Sequence, residues 1–411
     1  MNANEPDVSV IIGAYEAMPY LVRCLESVEG QSIGADRIEI VAVDDGSTDG
    51  TGEYLEEFAA GSKVPMRVVR QANSGGPGGP RNVGLSLARG RYVFFLDADD
   101  YLGEEALERM VAMADHAGTD VVLGKIEGVN RGAAKSMYHR SAERTDVFSS
   151  NIKFTLSAQK LFRRELLVRL GLRFDEGMRL GEDALFTMEA YLRGDGVSVV
   201  ADYTCYYLVG RDDGKHVTKG VDHAAIIDAA HALMKLIAAH VPPGDRRDLL
   251  MVRPFATSLL PQLGPIVLKQ PEERGREKLA LVAPLMETYW TEGLAKRLKV
   301  GERLRLTSAA LGHFDLLKDV LAFERAGTAA EVVERDGRRY LAYPHFGEGT
   351  EGLPDAVYEV RVAEQVGGER VTPLPSPVAP GRQDGASFAR RAVRRARRAL
   401  RGLGRGLGRG A

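Results

Sequence analysis

Between residues 8 and 124 short apolar, β-rich runs alternate with segments of helical periodicity, and that alternation leaves few folds open. Residues 8–12, 38–43, 66–69 and 92–96 read as strands. Leu21, Leu25 and Val28 share one face of the first intervening helix. Residues 51–58 and 104–117 give further helices, and residues 120–123 a fifth strand. Repeats of this kind build an α/β domain with a doubly wound, mostly parallel sheet and right-handed crossovers. Val93, Phe94, Phe95 and Leu96 form an unbroken apolar run, as expected of a strand covered on both faces.

That run stops in carboxylates. Asp97, Asp99 and Asp100 follow it with only Ala98 between, at the strand's carboxyl end, where open α/β sheets bind their ligands. Clustered carboxylates repel one another unless a cation lies between them, and Mg²⁺ or Mn²⁺ takes oxygen ligands while bridging phosphates. An Asp-x-Asp alone is weak evidence, since acidic residues after a strand often form a solvated turn.

Other strand ends carry polar clusters. The second ends in Asp44, Asp45 and Gly46, a set suited to hydrogen-bonding a base or ribose beside a tight turn, or to a plain Asp-Gly turn capped by Ser47 or Thr48. The first ends in Gly13, Ala14, Tyr15 and Glu16, with Tyr15 available to stack on a nucleobase. Residues 73–82 form a Gly- and Pro-rich loop that opens a helix near Pro80. A helix start of that kind favours phosphate, and Arg81 adds a bidentate donor. Walker-type spacing is absent, and no dinucleotide glycine signature follows the first strand. Glu182 and Asp183 stand at a helix start, with the helix assigned to residues 184–192. The dipole there favours an ionised general base, although simple capping gives the same pattern. Arg211 and His216 lie in a polar loop.

The rest of the chain divides by composition. Residues 222–324 carry helical periodicity broken at Pro242, Pro261 and Pro271, and residues 330–366 alternate as a small β-rich addition. The expected division is thus a domain over 1–221, a helical linker domain over 222–329 and a β-rich addition over 330–371. A Pro-rich linker over 372–385 and a basic tail over 386–411 complete it. Cys24 and Cys205 are too few for a disulfide framework. No basic-then-apolar leader precedes the first strand, and no apolar stretch approaches the roughly 20 residues that span a bilayer. The expected location is the cytoplasm.

In order and spacing, these motifs resemble family-2 glycosyltransferases of the GT-A fold. The resemblance rests on the first strand with Tyr15, on Asp44, Asp45 and Asp49, and on Pro80, Arg81 and Asn82. Asp97, Asp99 and Asp100 continue it, and Gly181, Glu182 and Asp183 end it. It spans about residues 8–216. It implies that Tyr15, Asp44 or Asp45, and Arg81 hold the uridine end of a UDP-sugar, with Asp97 at the ribose or sugar. Asp99, with Asp97, would hold Mn²⁺ or Mg²⁺ on the diphosphate, and Arg211 and His216 would close over it. Asp183 would be the base for the acceptor hydroxyl and Glu182 would orient acceptor or sugar. Glu16 stands where the family usually has another residue type, which leaves the donor base open. The Gly-rich loop, helical linker and β-rich end are similar to bacterial glycosyltransferases that attach N-acetylglucosamine to the polyol phosphate of wall teichoic acid. A lipid-linked or exopolysaccharide acceptor is the alternative. A nucleotidyltransferase is disfavoured because no Gly-rich activating loop follows strand one. The non-enzymatic rival is an inactive transferase domain that binds polyanions through its tail.

The formal charge of −2 hides an asymmetry. Nine arginines and no acid lie between Ala386 and Ala411, leaving 46 basic against 57 acidic residues in the body. That body is no nucleic-acid binder. On a helical wheel the tail puts Ala389, Ala392, Val393, Ala396, Ala399, Leu400 and Leu403 on one face and Arg390, Arg391, Arg394, Arg395, Arg397, Arg398 and Arg401 on the opposite one, the pattern of an interfacial helix at an anionic membrane. Holding an anionic acceptor is the competing use of the tail. Oligomeric state is left open.

Overall fold

The computed structural model describes residues 5–212 and 222–374; His216, most of the Pro-rich linker and the basic tail lie outside the described residues. The chain divides into two units, Met1–Val221 and Asp222–Ala411.

The first unit is built on a nine-stranded sheet. Its opening elements are β1 (Val8–Ala14), α1 (Tyr20–Glu29), β2 (Ile38–Asp44), α2 (Thr51–Gly61), β3 (Met66–Arg70), α3 (Gly78–Leu87) and β4 (Tyr92–Asp97). Then come β5 (Tyr101–Leu102), α4 (Ala106–Ala117), β6 (Val121–Val129), β7 (Ala142–Thr145), β8 (Leu161–Arg163), α5 (Arg164–Leu170), α6 (Glu182–Arg193) and β9 (Val197–Val209). Strand order is β3-β2-β1-β4-β8-β6-β9-β5, with β7 pairing on β9.

From β3 to β4 every pairing is parallel, while β8 enters antiparallel between β4 and β6. The sheet is therefore parallel on the side reached by the opening alternation and mixed beyond it. β2 is buried along its whole length, and β1 and β4 are buried except at Gly13 and Asp97, as strands covered on both faces must be. α1 buries Leu21, Cys24, Leu25 and Val28, one stripe at helical spacing. α3 lies close against the sheet because Gly84 has no side chain: a Cβ there would collide with Ile11. Gly46 takes φ +78° directly after β2, which turns the chain back under Asn73.

The second unit opens with α7 (His223–His240) and α8 (Asp245–Pro254), a π-helical turn over Phe255–Leu259, and α9 (Leu260–Gln262). After these come α10 (Glu272–Tyr289), α11 (Glu292–Ala295), α12 (Val300–Leu311) and α13 (Phe314–Ala326). Pro261 falls in α9, which runs on directly from the π-helical turn, rather than ending a helix before it. Two hairpins close the described chain: β10 (Glu331–Arg335) with β11 (Arg338–Ala342), and β12 (Glu364–Val366) with β13 (Glu369–Val371). Val300, Leu304, Leu316 and Val320 pack with Tyr340, Leu341, Tyr358 and Val360 in one core. Arg303 is buried there and donates to the carbonyls of Leu298, Val357 and Glu359, which fastens α12 to the segment that follows β11. Trp290, the sole tryptophan, packs on Phe255 with ring centroids 6.0 Å apart. No helix among the described residues is long and apolar enough to cross a membrane.

Candidate active site

The carboxyl ends of β1, β2 and β4 gather the polar residues of the opening motifs on one sheet edge, and α3 and α6 bring the rest. Arg81 joins them. It lies buried in α3, donating through Nη2 to Asp97 Oδ1 at 2.8 Å and through Nη1 to Glu182 Oε1 at 2.9 Å. Burial opposes its charge, but Asp97, Glu182 and Asp183 together more than offset this and hold it protonated beyond its ordinary range. One guanidinium thus ties the end of β4 to the start of α6, and its own bond to Glu182 spans 101 residues of sequence.

The two acids of α6 are raised together. Burial pushes Glu182 up and the neighbouring Asp183 adds to this, while Arg81 pulls it back, leaving Glu182 at about 7. Burial also raises Asp183 above the usual carboxylate range, against Arg81, the Ala184 N–H and the Lys160 charge. Behind them Phe95, Phe162, Phe174 and Phe186 form an apolar wall, with Phe174 and Phe186 stacked at 4.2 Å. Phe174 also lies under the Arg81 guanidinium, 5.4 Å from ring centre to Cζ.

Asp97 is held at both oxygens, by Arg81 and by the side-chain amide of Gln159. Asp99 stands partly exposed at the turn after β4. Asp100 turns inward and is 2% exposed, accepting from Tyr206 Oη at 2.6 Å and the Val209 N–H at 2.7 Å. Burial and the charges of Asp97 and Asp99 push it up to about 8. Asp100 thus serves as an anchor that fixes the Asp97–Asp99 turn against β9.

Tyr15 stands 55% exposed at the end of β1, open to a planar ligand. Asp44 and Asp45 are buried and engaged. Asp44 accepts from the Ser47 N–H and pairs with Arg70; Asp45 takes hydrogen bonds from Gln71 and from the N–H and hydroxyl of Ser74. Both therefore shape the loops around Tyr15. Glu16, at φ 48°, accepts from the Thr48 N–H and hydroxyl, so it too braces the turn after β2. Arg211 donates to the Glu16 carbonyl at 2.8 Å and lies over Tyr20.

A hard divalent cation suits this donor set. Among the described residues no three His, Cys, Asp or Glu side chains converge on one point. Mg²⁺-type sites need only one or two carboxylates when phosphate oxygens and water complete the shell. Asp99 fits that role best, with Asp97 beside it and partly committed to Arg81 and Gln159. Sequence reasoning missed Gln159 and Lys160, which precede the three-residue strand β8. Lys160 is buried and donates to the Ser157 carbonyl. A buried Gln-Lys pair before an apolar run was the only available signal.

Fold and site together define a GT-A-type sugar-nucleotide enzyme architecture, and the comparisons agree. The profile of glycosyl transferase family 2 matches residues 9–171, and that of the glycosyl transferase TarS linker domain matches 223–321. The chain belongs to glycosyl transferase family 2. It is 40% identical over 212 residues to the poly(ribitol-phosphate) beta-glucosyltransferase of Bacillus spizizenii, covering 51% of this chain and 33% of that protein. To the poly(ribitol-phosphate) beta-N-acetylglucosaminyltransferase TarS of Staphylococcus aureus it is 37% identical, over 58% of this chain and 41% of the relative. The chain thus spans well under half the length of these two relatives. Crystallised S. aureus TarS 1-349 in complex with UDP-GlcNAc superposes with a TM-score of 0.74 at 29% identity, covering 82% of this chain and 97% of that one.

Proposed function

We propose that this chain is an inverting, metal-assisted glycosyltransferase that moves N-acetylglucosamine from its UDP donor to a hydroxyl of a polyol-phosphate polymer. The observation that carries this is the Asp97–Arg81–Glu182 chain with Asp183 beside it, in a protein so similar to a structure holding UDP-GlcNAc. Tyr15 stacks on the uracil, and the loops braced by Asp44 and Asp45 shape its pocket. Asp97 orients the sugar end, and Arg211 with His216 covers the diphosphate. A divalent cation on Asp99 would neutralise the charge of the departing diphosphate. Asp183 accepts the proton of the attacking hydroxyl, and Glu182, held by Arg81, orients the acceptor. Binding both substrates in line supplies much of the remaining acceleration. In this reading residues 1–221 hold donor and chemistry, and 222–329 and 330–371 support them. The tail over 386–411 keeps the enzyme peripheral to an anionic membrane face.

The test is UDP release from UDP-sugars with Mn²⁺, with and without poly(ribitol phosphate). Acceptor-dependent release from UDP-GlcNAc is expected; release that ignores the polymer with every donor refutes the acceptor. Preference for UDP-glucose would support a second reading, which the similarity to the Bacillus enzyme favours. For the metal, Asp99→Ala should abolish Mn²⁺-dependent UDP binding in calorimetry. Undiminished metal-dependent affinity removes Asp99 from the role.

A further inference from the structure

One surface group beside this site has no part in the chemistry above. Tyr101 and Tyr207 pair across β5 and β9 and stack, with ring centroids 4.6 Å apart and planes 11° from parallel. Their strand neighbours Leu102 and Tyr206 point into the core at 4% and 1% exposure, so the alternation of a strand turns the two stacked rings outward. The Arg23 guanidinium lies 3.5 Å from the centre of the Tyr101 ring. A guanidinium so near one face leaves only the opposite face for Tyr207, so the three groups form one pile.

Arg23 is exposed, and no carboxylate of the described residues lies within ion-pair distance of it. Arg37, Arg70, Arg91 and Arg163 by contrast each meet an acid, and what sets Arg23 apart from other unpaired arginines such as Arg173, which donates to the Asn82 carbonyl, is its seat on an aromatic ring. Arg23 is therefore a cation fixed in orientation by an aromatic platform while its charge stays uncompensated. One turn earlier on α1, Tyr20 carries Arg211 at 5.0 Å, and Arg211 reaches the Glu16 carbonyl next to Tyr15. Residues three apart share a helix face, so Tyr20 and Arg23 lie on the same side of α1.

The pile is also tied to the reacting edge. Tyr101 follows Asp99 by two residues, at most about 7.6 Å between Cα atoms. Asp100 between them is clamped by Tyr206 and Val209, which fixes the platform relative to the carboxylate turn. A planar guanidinium matches a phosphate diester with two parallel donors, and tyrosine faces suit the C–H edges of a polyol. On a body whose acids outnumber its bases, a held cation beside the site gives a polyanion a favourable place to lie.

We propose that Arg23, held on the Tyr101–Tyr207 stack, binds a phosphodiester of the acceptor polymer at a repeat unit beyond the one that reacts. This rests on the preceding reading that the acceptor is a polyol phosphate. The test uses the full chain with Arg23→Gln and Arg23→Lys. Labelled poly(ribitol phosphate) is followed by anisotropy at several salt concentrations, beside KM and kcat for polymer and acceptor-free UDP-sugar hydrolysis. Arg23→Gln should weaken polymer binding and raise polymer KM about tenfold. Its salt dependence should be shallower, with kcat and donor hydrolysis unchanged; Arg23→Lys should fall between. Wild-type transfer with an indistinguishable Arg23→Gln variant overturns this inference alone, and so does a shift in donor KM. A wild-type chain that neither binds nor modifies the polymer overturns both readings.

Discussion

Asp183 accepts a hydrogen bond from the Ala184 N–H at the start of α6, and that short tether sets what a substitution there should do. Asp183→Asn keeps the size and an acceptor oxygen but cannot take the proton of an attacking hydroxyl. UDP-sugar affinity should stay near wild type while kcat falls about a thousandfold or more. Near-normal kcat would mean the base lies elsewhere. Glu182 makes a pH prediction with a definite sign. Its folded value is raised from 4.5 to about 7, so the folded chain keeps a proton that the unfolded chain gives up. The stability it contributes is present below its unfolded value and lost as pH rises through about 7. Glu182→Gln removes that slope while leaving an oxygen for Arg81. It also removes a negative neighbour from Asp183, so the ascending limb of the kcat profile should move to lower pH. Denaturant melts and pH–rate curves read the two effects separately; an unmoved limb would uncouple the pair.

The sheet's elements differ in how plainly the residues announce them, and the reason is length and burial. β1, β2 and β4 are apolar nearly throughout, so period and composition agree, and the carboxylates at their ends stand out. β8 has three residues and β5 two, too few for any period to register. Yet β8 brings Gln159 to Asp97, and β5 carries Tyr101. Both matter through pairings with distant strands, which no local pattern encodes. The same holds for Asp44 and Asp45: the motif is visible in the chain, but that Arg70 and Ser74 engage them depends on β3 lying beside β2. A sequence-level rule does apply to α3, where Gly84 lets the helix lie against β1. Gly84→Val should cost about 1–3 kcal/mol by overpacking Ile11. Because Arg81 rides on the same helix, activity should drop more than stability alone explains. Thermal melts with transfer assays test this; an unchanged Tm would show that α3 yields without strain.

For the whole molecule, the division of charge makes the clearest prediction. Removing residues 386–411 takes away nine arginines and leaves an acidic chain. The truncated protein should lose salt-sensitive binding to anionic vesicles while still hydrolysing the sugar nucleotide. Equal vesicle binding by truncated and full-length chains would refute the membrane role. The two units also differ in what light they return. Trp290, on Phe255, belongs to the second unit, and the first holds no indole at all. Indole emission during a denaturant titration therefore follows the helical unit and its hairpins, while backbone circular dichroism follows both. Where the two curves part, the unfolding has an order, and the lone indole says which half went first.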